Sequence, residues 1–150
     1  NYSNGSYFNV PLDELQAITE YALSNGYTVA WDGDVSEKGF SAGDGLAILP
    51  ENQNDDDQFK SPVDEIKVTQ ENRQKAFENF STTDDHLMHL TGLAKDQKGQ
   101  TYYITKNSWG EISDYEGFLY MSAPYFRMKT VGLMVHKDAI PTDIASKLNL

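Results

Sequence analysis

At 150 residues, with 39% apolar and 12% aromatic side chains, the chain has the length for one domain with a buried core and too much apolar content for a disordered one. A formal net charge of −11 opposes binding to nucleic-acid phosphates and anionic lipid surfaces, so neither nucleic acid nor membrane is an expected partner. Cysteine is absent, which excludes disulfides and thiolate metal sites and leaves the redox compartment unread. No apolar run approaches the ~18 residues of a membrane-spanning helix. The opening NYSNGSYF has neither an initiator Met nor a signal-peptide pattern, and reads as the start of a fragment, a processed chain or a truncated product.

Residues 10–25, VPLDELQAITEYALSN, carry Leu12, Leu15, Ile18 or Thr19, Ala22 and Leu23 at roughly helical spacing. Asn9 is the expected N-cap, Pro11 falls in the first turn, and Gly26 stands where a left-handed residue ends a helix. YTVAWD (27–32) is β-branched and aromatic enough for a strand. The stretch 33–63 is rich in Gly, Asp and Asn, and NQNDDDQ (52–58) within it reads as a polar, charged loop. Adjacent Asp55, Asp56 and Asp57 invite a calcium reading, but they lack the alternating ligand spacing of the common calcium loop. Segment 32–43 places Glu37 where that loop needs Gly.

TQENRQKAFENF (69–80) predicts a helix with Ala76, Phe77 and Phe80 turned towards a core. The texture then changes to strands at 86–96, 100–108, 117–122 and 129–138. Lys98-Gly99 is the expected hairpin turn between the first two, Pro124 breaks the chain through a short helix at 123–128, and 141–150 forms a helix or tail. A helix followed by a mostly antiparallel sheet or small barrel defines a single domain over 1–150 of the α+β class.

His86 on one predicted strand and Asn107 just after the next become neighbours in a hairpin. An amide oxygen that accepts from one imidazole nitrogen fixes the tautomer and rotation of the ring and presents the other nitrogen to a nucleophile. Trp109 can cover that bond and strengthen it by excluding water. By spacing alone, a His and an Asn on adjacent strands more often reflect packing than chemistry. His89 lies at an odd offset from His86, so the two rings face opposite ways and cannot share a metal, and no third ligand is evident. No metal or cofactor is therefore expected. His136 reads as a surface or packing residue, and Ser108 as a structural hydroxyl with no base to activate it.

DDHLMHLTGLA (84–94), followed by YYITKNSWGE and YEGFLYM (102–121), resembles the papain superfamily of cysteine peptidases. NSWGE with Glu111, GFLYMS, PYF and the upstream VAWDGDV are most similar to its bleomycin hydrolase and aminopeptidase C branch. The resemblance implies a papain-like fold of which this chain is the C-terminal, antiparallel β-barrel-like lobe with flanking helices. It implies His86 as the catalytic imidazole, Asn107 as the orienting amide and Trp109 as the shield. It also implies Asp85 as a carboxylate modulating the cleft, the plain alternative for Asp84 and Asp85 being a polar loop end. The nucleophilic Cys of that family sits in an N-terminal lobe missing here, so this chain alone is expected to be an inactive part of a cysteine-type aminopeptidase. The implied partners are that lobe, a peptide substrate and further copies in a hexamer, and the implied compartment is the cytoplasm. The face between lobes is expected to be apolar, favouring self-association when uncovered. Only nine residues follow Pro141, short for the C-terminal arm that enters the cleft in that branch. A Cys-less module binding peptides or partners remains the alternative. An acid–base enzyme pairing His86 with Asp85 is disfavoured, since adjacent strand residues point to opposite faces.

Overall fold

A computed structural model describes residues 7–53 and 57–150. Helix α1 (Leu12–Ser24) precedes strand β1 (Val29–Gly33), the two-residue strands β2 (Phe40–Ser41) and β3 (Leu46–Ala47), and helix α2 (Gln70–Glu78). Strands β4 (His86–Lys95), β5 (Thr101–Lys106) and β6 (Phe118–Ser122) follow, then helix α3 (Ala123–Lys129), strand β7 (Thr130–Met134) and helix α4 (Thr142–Leu148). The seven strands form one sheet in the order β2-β3-β6-β5-β4-β1-β7, antiparallel throughout except for the parallel β3–β6 pair.

One face of this sheet is buried. Trp31, Met88, Leu90, Tyr103, Leu119 and Met121 alternate inwards along their strands and pack with Tyr125 and Phe126 of α3 and Ala22 of α1. Trp31 is fully buried, and its indole N–H donates to the Thr130 hydroxyl at 2.8 Å, so its polar edge is satisfied in the core. The alternation in β4 breaks at an irregularity between Leu90 and Gly92.

Several sequence expectations need correction. The N-cap of α1 is Pro11, not Asn9, and no side chain caps it. The Gln70 side chain of α2 serves instead, accepting the Leu12 N–H at 2.8 Å. Within the Gly-, Asp- and Asn-rich stretch 33–63, a β2–β3 hairpin forms where no strand is expected. The last predicted strand ends at Met134 because a 3-10 turn forms at Lys137–Ala139. Helix α2 buries none of its residues, leaving Phe77 49% and Phe80 81% exposed rather than turned to a core. Its apolar stripe is too narrow to dock, and it is held by polar contacts: a Thr69–Asn72 capping box and the Arg73 guanidinium on the Thr130 carbonyl. Gly26 (φ +80°) does close α1, and Gly99 (φ +83°) the β4–β5 turn.

Asp55 and Asp56 lie outside the described residues, and Asp57 pairs with Lys60. Among the described residues no three potential ligands converge on a metal site, and no helix is long and apolar enough to cross a membrane.

Candidate active site

His86 opens β4 opposite Gly33 of β1. Its side chain leaves the strand on the same face as the buried Met88 and Leu90, but at the strand end, where the ring is half-buried. Asn107 follows the last residue of β5 and is nearly fully buried. Its N–H donates to the Gly117 carbonyl at 2.9 Å, which pinches residues 107–117 into a closed loop. A Cβ on Gly117 would stand 2.0 Å from the Gly110 oxygen, so this crossing admits only glycine.

The two residues meet: His86 Nε2 lies 2.8 Å from Asn107 Oδ1. The same oxygen accepts the Ser108 N–H at 2.7 Å. A main-chain N–H can only donate, so the amide atom there is oxygen, and Nε2 must carry a proton to reach it. In the neutral ring Nδ1 then holds the lone pair, and it has no hydrogen-bond partner among the described residues. Asn107 Nδ2 is buried without a partner there. An unpaired buried N–H is costly, so this amide is placed for its oxygen rather than for a fully satisfied network.

Trp109 tilts over the imidazole with ring centroids 4.7 Å apart. It is 50% exposed, so it covers one side of His86 while its own outer face meets solvent. Phe40 of β2 meets it edge-on at 6.0 Å. Asp85 is occupied as a clasp: Oδ1 accepts the Val35 N–H at 3.0 Å and Oδ2 the Thr83 hydroxyl at 3.1 Å. Those bonds match the polar loop end more than a carboxylate aimed at the imidazole. Ser108 acts through its main-chain N–H rather than its hydroxyl. His89 is exposed on the opposite face, and His136 stacks on Tyr27 at 5.4 Å while its Nδ1 accepts the Asp138 N–H.

Sequence reasoning missed the support beneath the site. Asp34, just after β1, is buried and accepts from Ser36 N–H (2.8 Å), Ser36 hydroxyl (2.7 Å) and Thr83 N–H (3.0 Å), with Lys129 Nζ at 3.4 Å. Burial raises its pKa, but these bonds and the Lys129 charge outweigh burial and hold it below the usual carboxylate range. Lys129 is itself buried and also reaches Glu37 and the Ser81 carbonyl (2.6 Å). Nothing local marks these residues; DGD and RMK look like surface text.

Beside this clasp, on the outer face, burial and a hydrogen bond with Asp84 push Asp32 up to about 6, and the charges of Asp84 and Asp85 add to the rise. The folded pKa lies above the unfolded value of about 3.9, so the folded chain holds this proton more tightly. Asp32 therefore contributes stability at low pH that is lost as pH rises from about 4 through about 6. Asp32→Asn is expected to raise Tm over the parent at pH 8 and not at pH 4. Equal gains at both values in a thermal melt would contradict this.

Two clefts of about 430 and 280 Å3 lie along residues 58–68 and the β4–β5 turn, away from His86. The chemistry-bearing groups sit instead on an open shoulder of the sheet.

The model of the Peptidase C1-like family matches residues 2–150, and the chain belongs to that family. It is 28% identical over 138 residues to aminopeptidase C of Lactobacillus helveticus, covering 92% of this chain and 29% of that protein. It is 26% identical over 145 residues to aminopeptidase W of Lactobacillus delbrueckii subsp. lactis, covering 95% of this chain and 31% of that protein. The crystal structure of PepW from Lactobacillus rhamnosis HN001 (DR20) superposes with a TM-score of 0.67 at 20% identity, over 95% of this chain and 31% of that one. At that identity the likeness is one of fold: papain-like and α+β. The chain spans less than a third of the curated relatives it matches.

Proposed function

We propose that this chain is the His- and Asn-bearing lobe of a cysteine-type aminopeptidase. Its nucleophilic Cys would come from a lobe outside these 150 residues, and it is inactive alone. The observation that carries the reading is the Nε2 to Oδ1 bond of His86 and Asn107, with Ser108 N–H fixing the oxygen. That arrangement leaves Nδ1 as the nitrogen available to a thiol. Family membership and the two aminopeptidase relatives support the same reaction class.

In the assembled enzyme His86 Nδ1 takes the thiol proton, and the thiolate attacks the scissile carbonyl. As the C–N bond breaks, Nδ1–H gives that proton to the leaving amine. Nδ1 then takes a proton from water as its oxygen attacks the thioester, and as the C–S bond breaks Nδ1–H returns that proton to sulfur, freeing the acid and the thiol. The substrate is a peptide, and restriction to its amino terminus follows the relatives rather than any group on this chain. Assembly into a homo-oligomer belongs to the same proposal.

The test is made on the full-length gene product. Its intact mass under denaturing conditions should exceed 16.9 kDa, or a Cys-bearing partner should co-purify. A thiol-directed epoxide should then abolish hydrolysis of an aminoacyl amide. A product near this mass, without partner and inert to the epoxide, would instead support the Cys-less binding module.

A further inference from the structure

Two arms of contact run from His86 into the core and end on the same residue. Along the first, Trp109 lies against the imidazole, Phe40 meets Trp109 edge-on, and the Tyr125 ring lies 6.4 Å from Phe40. Along the second, the Tyr125 hydroxyl donates to the Asp34 carbonyl at 2.8 Å. The Asp34 side chain accepts the Thr83 N–H, and Asp85 N–H donates to the Gly33 carbonyl at 3.2 Å, immediately ahead of His86.

Tyr125 has no freedom of its own. It is fully buried in α3, Pro124 precedes it in the first turn, and its N–H is capped by the Ser122 hydroxyl at 3.1 Å. Burial, with Asp34, Glu37 and Asp85 nearby, keeps its hydroxyl protonated and donating. One rigid side chain thus touches both the aromatic that backs Trp109 and the main chain of Asp34, whose carboxylate and whose neighbour Gly33 hold the entry to β4.

We propose that Tyr125 is a positioning residue for His86. Its hydroxyl sets the strand entry and its ring backs the Phe40–Trp109 cover, so imidazole and shield keep one relative placement. The proposal rests on reading His86 as the base, because it concerns how that base is held.

The test is nitrogen-resolved NMR of the His86 imidazole in the full-length gene product, reading exchange of the Nε2 proton with water. Tyr125→Phe removes only the hydroxyl and is expected to speed that exchange about tenfold, the scale of one lost hydrogen bond. Phe40→Leu leaves the hydroxyl arm intact, and is expected to speed exchange and red-shift the Trp109 emission. A fall in Tm without faster exchange in Tyr125→Phe would make Tyr125 a core residue only and overturn the proposal. Faster exchange in Phe40→Leu alone would place control in Trp109 and overturn it equally. The readout needs no turnover, so it is independent of the epoxide experiment. A gene product without thiol-dependent hydrolysis would end the peptidase reading and leave the exchange result interpretable.

Discussion

If the full-length protein is the proposed peptidase, His86→Ala is expected to lower its kcat/KM on an aminoacyl amide by about 10³-fold, within the range that general acid–base groups contribute. In the proposed mechanism the loss is large because one nitrogen would serve every proton transfer: thiolate formation, protonation of the amine and activation of water. Asn107→Ala leaves the imidazole in place and removes its orientation. The ring can then rotate or change tautomer, and Nδ1 faces the thiol only part of the time. The expected loss is about 10²-fold, in kcat with KM nearly unchanged, because Asn107 is buried and its oxygen is engaged by His86. Steady-state kinetics across pH would check both. Activity of His86→Ala within tenfold of the parent would remove this residue from the mechanism.

Lys129→Met is expected to destabilise the fold by about 3–5 kcal/mol, the usual cost of stripping one partner from a buried ion cluster. Lys129 and Asp34 are both almost fully enclosed, and Glu37 is largely so. Without the ammonium, two carboxylates face each other in a space that cannot solvate them. The Ser81 carbonyl loses its donor as well. In a chain of this size the change corresponds to a fall in Tm of about 10 °C. Adding Asp34→Asn to Lys129→Met should recover part of the loss, since the remaining acid then has no buried neighbour to repel. Chemical denaturation of both variants gives the comparison. A Lys129→Met protein as stable as the parent would mean the cluster is solvated. The pH dependence points the same way. Asp34 has a depressed folded pKa, so its contribution is present above the unfolded value of about 3.9 and lost as pH falls through the lower folded one.

Much of the site was legible because it is written locally. The helix at 12–24 follows from apolar spacing and a terminal glycine. The β4–β5 hairpin follows from two apolar runs around Lys98-Gly99. Once that hairpin is granted, His86 and Asn107 must be neighbours, and KNSWG carried the family. The 2.8 Å bond and the choice of Nε2 over Nδ1 were not legible, because they depend on the Ser108 N–H and on where residue 107 leaves the strand.

The remainder was settled only by contacts between segments far apart in the chain. Strands β2 and β3 have two residues each and exist because Leu46 and Ala47 pair with β6, a partner more than seventy residues away. Phe77 and Phe80 carry an apolar signal but stay in solvent, since periodicity reports a stripe and not whether a surface exists to cover it. Lys129 and Asp34 have the composition of a surface and lie in the core, paired across 95 residues. Hydrogen-bonded turns, caps and strand periodicity are properties of neighbours in sequence, and so can be read from it. The burial of a charge or the backing of an aromatic depends on which distant segment arrives opposite, and only the folded chain decides that.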